Sequence, residues 1–563
     1  MLIFFLCLAL LVLAYKFYSP FVERQAGIDP KAQTPQARFE DGVDYVPVHP
    51  AKAFLIQFLN VAGVGPIFGP ILGALYGPVA LLWIVLGNII GGAVHDYFSG
   101  VLSIKEDGKS LPEIAGHYFN IYFKGVMLLF TAMLLFFVGV VFIMSPAGLL
   151  SNLDYFKDTI FGNNTFWVLV ILAYYFLATM LPIDKIITKL YPAFGLLMIV
   201  MTTSIAVALL INAPQLPEMG DVFAYFNHSH YNNELLEPNP DGLPIWPLLF
   251  VTITCGAISG FHSTQAPIMA RCLTNEKYVR PVYYGAMVAE GVVACVWATA
   301  GIAAFPGGYV ELKSLLDQGG PGLVVNQVAT SYLGVLGGVM AIIAVAVFPI
   351  TSGDTAFRSL RLTIIDAFNI PQSMRNRLLV AAPILTIAYF MTKIDFSLIW
   401  RYFAFSNMLL STSVLWLATK YLFDRGSFHW IVSLPAIAGT CVTVSYIVTA
   451  GIGLGLPQSL SQPVGIAVGV VCLIALIIAH NKRFEDALLQ LQQSILIKTQ
   501  QLFSMQFQLL SRLNSSIVWC DATHQAALVD PGGDLDTLLA AIARLGLTLE
   551  QIWLTHAHID HAG

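Results

Sequence analysis

One apolar run, Ala53 to Tyr76, is broken at its centre by Asn60-Val-Ala-Gly-Val-Gly-Pro-Ile-Phe-Gly-Pro70. Gly63, Gly65, Pro66, Gly69 and Pro70 are poor helix formers, and each proline removes a backbone donor. In lipid an unpaired backbone group costs several kcal/mol, so a broken helix persists only inside protein or beside a watery cavity. A span interrupted at its middle is therefore a candidate ion or substrate site, and Asn60, Gly63 and Gly65 are its substrate-binding candidates. Close helix packing through glycine is the alternative.

The rest of the chain fits a membrane setting. Of 563 residues 57% are hydrophobic and 11% charged, against roughly 25% charged in soluble proteins. The fold class expected is an all-α polytopic membrane protein, its partner the lipid bilayer. A net charge of −5 points to no nucleic-acid partner. Five of the seven cysteines (Cys7, Cys255, Cys295, Cys441, Cys472) lie in apolar runs without CxxC spacing and read as small apolar packers. The first run, Leu2 to Ala14, has no basic n-region, which favours a retained anchor helix over a cleaved signal.

A spanning helix needs about 20 apolar residues. Thirteen candidates lie near 2–18, 53–76, 79–102, 125–147, 165–183, 191–211, 244–262, 281–305, 333–350, 377–392, 396–422, 429–451 and 464–480. The loops after the odd-numbered spans, from the first to the eleventh, hold nineteen lysines and arginines; the alternate loops hold Lys157, Lys313 and Lys393. Positive-inside bias then puts the N-terminus outside and the end of the last span in the cytoplasm. The second and seventh spans run in opposite directions, and the seventh is also irregular: Thr252-Ile-Thr-Cys-Gly-Ala-Ile-Ser-Gly-Phe-His-Ser-Thr-Gln-Ala-Pro267. Two broken spans, five apart and opposed, are what inverted five-helix repeats would give.

Several polar sets sit inside these spans. His95-Asp96 in the third is a candidate proton relay, or a pair at a helix end, because a charge in lipid is costly and histidine titrates near neutrality. Thr254, Ser259, His262 and Ser263 in the seventh suit a small polar or carboxylate substrate; interhelical hydrogen bonding uses the same residue types. Glu290, in mid-span, must be protonated or paired. Thr351, Ser352 and Asp354 follow Pro349 and flank Gly353, and read as oxygen ligands for a coupling ion, H⁺ or Na⁺, or as a helix cap. Arg401 either meets an anionic substrate or snorkels.

After Asn481 the composition changes. Residues 482–504 are Gln-rich with Leu at helical spacing, as in a cytosolic amphipathic helix or linker. Residues 505–563 alternate like strands around a Pro531-Gly-Gly533 turn and one helix, and form a short α/β segment. They end in Thr555-His-Ala-His-Ile-Asp-His-Ala-Gly563, where His556, His558, Asp560 and His561 offer zinc ligands.

Residues 1–480 resemble the carbon starvation protein family of inner-membrane transporters. The resemblance rests on Asp41-Gly-Val-Asp-Tyr-Val-Pro47, Ala62 to Pro70, Gly92-Ala-Val-His-Asp96, Leu111-Pro-Glu-Ile-Ala-Gly116, Cys255 to Ser263 and Thr351 to Arg358. It implies proton-coupled uptake of pyruvate or small peptides when carbon is scarce, and a relation to transporters with inverted five-helix repeats. Residues 505–563 resemble the N-terminal part of a metallo-β-lactamase-fold hydrolase of the glyoxalase II type, on Ala527 to Gly533 and Thr555 to His561. There His556 and His558 would bind one zinc, and Asp560 and His561 a second. The family's later ligands have no counterpart, so the fragment is expected to be inactive, as if two neighbouring reading frames were joined and the second cut short; a true fusion is the alternative.

The expected function is thus a secondary transporter of a small carboxylate or peptide, with no cofactor beyond its coupling ion. A membrane-tethered zinc hydrolase is the rival, and a signalling or structural membrane protein the third reading.

Overall fold

The computed structural model describes residues 1–41, 45–61, 63–153, 155–156, 158–180, 184–214, 216, 244–368, 370–371, 373–451, 453–480, 509–512, 515–519, 523–529 and 535–553. The chain divides into two compact units, Met1–Ile474 and Ala475–Gly563. The stretch 482–504 and the histidines of the C-terminal motif lie outside the described residues.

The first unit is helical. Its main helices are α1 (Leu2–Ala26), α2 (Pro50–Val61), α3 (Gly65–Gly73), α4 (Val79–Lys105), α5 (Ile121–Ser151), α6 (Asn164–Met180) and α7 (Asp184–Asn212). There follow α8 (Ile245–Thr252), α9 (Phe261–Ala270), α10 (Glu276–Ala303), α11 (Gly308–Ile342) and α12 (Phe348–Ala367). The set ends with α13 (Met374–Met391), α14 (Phe396–Asp424), α15 (Trp430–Thr449) and the first part of α16 (Gln458–His480), whose last residues belong to the second unit. At 1.5 Å per residue the 31-residue α5 is about 46 Å long, ample for a hydrocarbon core of about 30 Å.

Among the described residues seven helices are long and apolar enough to cross a membrane, against the thirteen spans expected. Several of the other expected spans are helices that are interrupted or short. The second span is split into α2 and α3, and the seventh into α8 and α9, as their glycines and prolines require. The ninth differs most. Window hydropathy ended it at 350, whereas the chain turns at Gly334 (φ 67°), passes a π turn at Ile343–Val347 and continues helically to Ala367. Arg358 and Arg361 made that extension invisible to an apolar count. Thr351, Ser352 and Asp354 consequently lie within a helix, a turn beyond the irregular backbone.

Contacts between connections fix which helix ends lie together. Lys105 pairs with Glu276 at 2.8 Å, and Arg271 Nε donates to the Gly108 carbonyl at 2.9 Å. Arg38 pairs with Asp107 at 2.6 Å, Arg280 with Glu23 at 3.0 Å, and Tyr421 Oη donates to the Ala26 carbonyl at 2.8 Å. The basic connections after α1, α4, α9 and α14 therefore share one end of the bundle. At the other end Asn152 donates to the Gln318 carbonyl at 3.3 Å and Lys393 to Thr165 at 2.9 Å. The α2–α3 span and the α8–α9 span run antiparallel between these ends.

The second unit holds a four-stranded sheet in the order β1 (Leu509–Arg512), β2 (Ser515–Trp519), β3 (Gln525–Val529), β4 (Thr548–Trp553). The first three strands are antiparallel, and β4 joins β3 in parallel through the crossover helix α17 (Leu535–Arg544). Ile517, Trp519, Leu528, Leu538 and Ile542 form its small core.

Candidate functional site

The α8–α9 break is where most of the polar expectations converge. The chain leaves helical geometry between Thr252 and Phe261, with Gly256 at φ +89°, a conformation that favours glycine. Inside a membrane protein each freed backbone group must find a partner. Trp400 Nε1 donates to the Thr252 carbonyl at 3.2 Å and Trp83 Nε1 to the Ile253 carbonyl at 2.8 Å. The Gly256 N–H donates to Glu290 Oε1 at 3.0 Å, and its carbonyl accepts from Asn88 Nδ2 at 2.9 Å. The Phe261 N–H donates to Asn407 Oδ1 at 2.8 Å. Side chains of α4, α10 and α14 thus replace the missing helical ladder.

The first break meets the second. A Cβ at Gly65 would lie 2.6 Å from Cys255 Sγ, so only glycine lets α3 approach this closely. The end of α2 is adjacent as well, since α2 packs against α9.

Four buried titratable groups form a chain below the break. His95 Nδ1 lies 2.9 Å from Asp96 Oδ1, and His262 Nδ1 lies 2.8 Å from Asp96 Oδ2. His262 Nε2 faces Glu290 Oε2 at 3.3 Å. All four are at most 1% exposed. His262 therefore stands between two carboxylates, one on α4 and one on α10. A protonated ring can serve both carboxylates and a neutral ring only one. Among the described residues His95 Nε2, His262 Nε2 and Glu290 Oε2 have no hydrogen-bond partner. Glu290 links the set to the backbone of the break through the Gly256 N–H. Among the described residues no cluster has the geometry of a metal site.

Residues 1–152 and 137–322 match the family profile described as Carbon starvation protein CstA. The chain belongs to the carbon starvation protein CstA family. It is 42% identical over 338 residues to an uncharacterized membrane protein of Haemophilus influenzae, covering 54% of this chain and 91% of that one. It is 25% identical over 559 residues to the peptide transporter CstA of Escherichia coli, covering 75% and 77%. It is 24% identical over 364 residues to the pyruvate/proton symporter BtsT of Escherichia coli, covering 54% of this chain and 49% of the symporter. Residues 511–563 match the Metallo-beta-lactamase superfamily profile.

In this CstA-family chain the structure brings some of the residues expected from sequence together and leaves others apart. His95, Asp96, His262 and Glu290 come together, and His262, expected among substrate ligands, sits with the coupling candidates. Thr254 and Ser259 are joined through Asn407, whose Nδ2 donates to Thr254 Oγ1 at 3.1 Å and whose Oδ1 accepts from Ser259 Oγ at 3.2 Å. Ser263 Oγ donates to the Gly260 carbonyl at 2.6 Å, within its own helix. Asp354 pairs instead with Arg358, 3.1 Å away and one turn on. Asn60 lies in α2 and Thr351 in α12, and their side chains are outside the described part.

Asn407 and the two tryptophans were not anticipated. An amide flanked by Ser406 in an apolar run was the available signal for Asn407. Nothing in the local sequence marks Trp83 or Trp400, because their partners are some 150 residues away or more.

Proposed function

We propose that this protein is a secondary active transporter that imports pyruvate or small peptides across the bacterial inner membrane, driven by protons, with the N-terminus outside. The observation that carries the reading is the buried chain His95–Asp96–His262–Glu290, whose last member holds the Gly256 N–H inside a broken helix. A carboxylate binds such a donor about twice as strongly as a neutral acid does. Protonation of Glu290 loosens Gly256, and deprotonation tightens it, so proton occupancy changes the grip on the backbone beside the substrate path. The relatives named as a peptide transporter and as a pyruvate/proton symporter support the same class of cargo. Sodium is the alternative coupling ion.

The test is uptake of pyruvate and of dialanine by proteoliposomes under imposed gradients. Accumulation should follow an inward proton gradient and ignore a sodium gradient. Uptake indifferent to both would overturn coupled transport, and sodium-driven uptake would overturn the proton assignment.

A second reading attaches to residues 511–563 because of their superfamily match. Three imidazoles and a carboxylate, on His556, His558, Asp560 and His561, are a donor set chemically suited to zinc. Zinc would supply an activated water there. Metal analysis of the purified full chain, with and without His558→Ala, decides it: zinc held only by the parental chain favours this reading, and none in either removes it.

A further inference from the structure

A cavity of about 240 Å³ opens at the end of the bundle away from the basic connections. At about 30 Å³ per water it has room for about eight water molecules, enough for a small organic acid. Its lining includes Thr252, Lys313, Asp317, Asp395, Trp400 and Arg401. Thr252 is the last residue of α8, so the cavity abuts the interrupted span on the side opposite the buried proton chain. Arg401 also lines a second cavity, about 330 Å³, beside Pro244 and Tyr446, and so stands between the two.

The charges of the first cavity are not equally available. Lys313 Nζ lies 2.5 Å from Asp317 Oδ1, which leaves that pair neutral. Asp395 caps α14: its Oδ1 accepts from the Ser397 N–H at 2.9 Å, the Leu398 N–H at 3.3 Å and the Ser397 hydroxyl at 2.5 Å. Arg401 has five N–H donors and no hydrogen-bond or ion-pair partner among the described residues; the charge acting on it is that of Asp395. Asp395 offsets part of its charge, but the hydrogen bonds of that carboxylate go to Ser397 and Leu398, so the guanidinium donors keep their capacity for a ligand.

We infer that Arg401 receives the carboxylate of the transported substrate in this access cavity. The inference rests on the transport reading and deepens it. A guanidinium matches a carboxylate with two parallel hydrogen bonds, which an ammonium cannot reproduce. The neighbouring residue, Trp400, is held between Phe396 and Phe403 and donates to the Thr252 carbonyl. An acid seated on Arg401 therefore bears on the α14 turn that holds the broken end of α8. The substrate class is a free carboxylate, as in an α-keto acid or a peptide with an unblocked C-terminus.

The experiment measures KM and Vmax for pyruvate and dialanine in proteoliposomes for the parental chain, Arg401→Gln and Arg401→Lys, with pyruvamide and dialanine amide as competitors. Arg401→Gln should raise KM at least about tenfold, equivalent to ~1.4 kcal/mol, with a smaller change in Vmax. Arg401→Lys should fall between. The amides should compete poorly against the parental protein. A KM within about twofold in Arg401→Gln, or amides that compete as well as the acids, overturns the assignment. If Arg401→Gln does not insert, the amide comparison on the parental chain decides alone. If the parental chain transports neither compound, the transport reading fails first. Calorimetry of pyruvate binding to the detergent-solubilised chain then judges Arg401: heat lost in Arg401→Gln upholds the site, and no heat from the parental chain removes it.

Discussion

Asp96 has a histidine on each carboxylate oxygen and 1% of its surface exposed. Removing one partner of a buried pair costs about 3–5 kcal/mol, because the other charge is left without compensation. Asp96→Asn should therefore lower thermal stability by that order and abolish proton-driven uptake; a melting temperature equal to the parental one would contradict the pairing. Glu290→Gln keeps the shape and removes the charge. Accumulation driven by a pH gradient should drop at least about tenfold, with a smaller loss in exchange of labelled for unlabelled substrate. Equal losses in both assays would separate Glu290 from coupling. Gly65 gives a steric test. Its missing Cβ makes room for Cys255 Sγ, and overpacking costs about 1–3 kcal/mol. Gly65→Ala should impair uptake and Cys255→Gly should restore it in the double variant; additive defects would show that the two residues do not share the contact. The residue types were legible from sequence, since ionisable groups in apolar spans stand out. Their grouping was not: His95 and Asp96 are neighbours in the chain, whereas His262 and Glu290 arrive from elements well over a hundred residues later.

At the scale of elements, the interruption of α8–α9 is held by α14 as much as by its own glycines. Asn407 serves the Phe261 N–H, Ser259, Thr254 and Cys255. Asn407→Ala leaves at least one buried donor unserved, which costs about 1–3 kcal/mol. Hydrogen exchange at 252–262 should accelerate in that variant; unchanged exchange would show that α14 does not hold the break. The start of α14 offers a pH-dependent test. Burial opposes ionisation of Asp395, but the hydrogen bonds from Ser397 and Leu398 and the charge of Arg401 outweigh it and hold the carboxyl below its ordinary 3.8. A carboxyl lowered in the folded state contributes stability above its unfolded value and loses it as pH falls through the folded one. Asp395→Ala should cost about 1 kcal/mol at neutral pH, within the usual range for an N-cap. The difference from the parental chain should shrink as the pH drops below about 4, and a gap independent of pH would contradict the cap. The helix breaks were legible from glycine and proline. The continuation of α12 past residue 350 was not, because Arg358 and Arg361 ended the apolar window while the backbone stayed helical.

For the whole molecule, the contacts among connections sort the helix ends into two sets, and the excess of basic residues on one set is the ground for proposing that end as the cytoplasmic one. Single cysteines at Ser110 and Gln318, in a background without native cysteines, should label from the inside and the outside of intact cells respectively with an impermeant maleimide. The reverse pattern would invert the orientation. What the sequence determined by itself were properties of local composition: a helical membrane protein, two interrupted spans, alternating loop charge, and a strand-patterned segment near the C-terminus. These follow because lipid leaves a backbone few choices and glycine and proline act where they stand. Which side chains rescue the broken backbone, and which arginine beside a cavity has no hydrogen-bond or ion-pair partner among the described residues, was decided only by tertiary structure. Those outcomes depend on distances between helices far apart in the chain, and no local pattern encodes them.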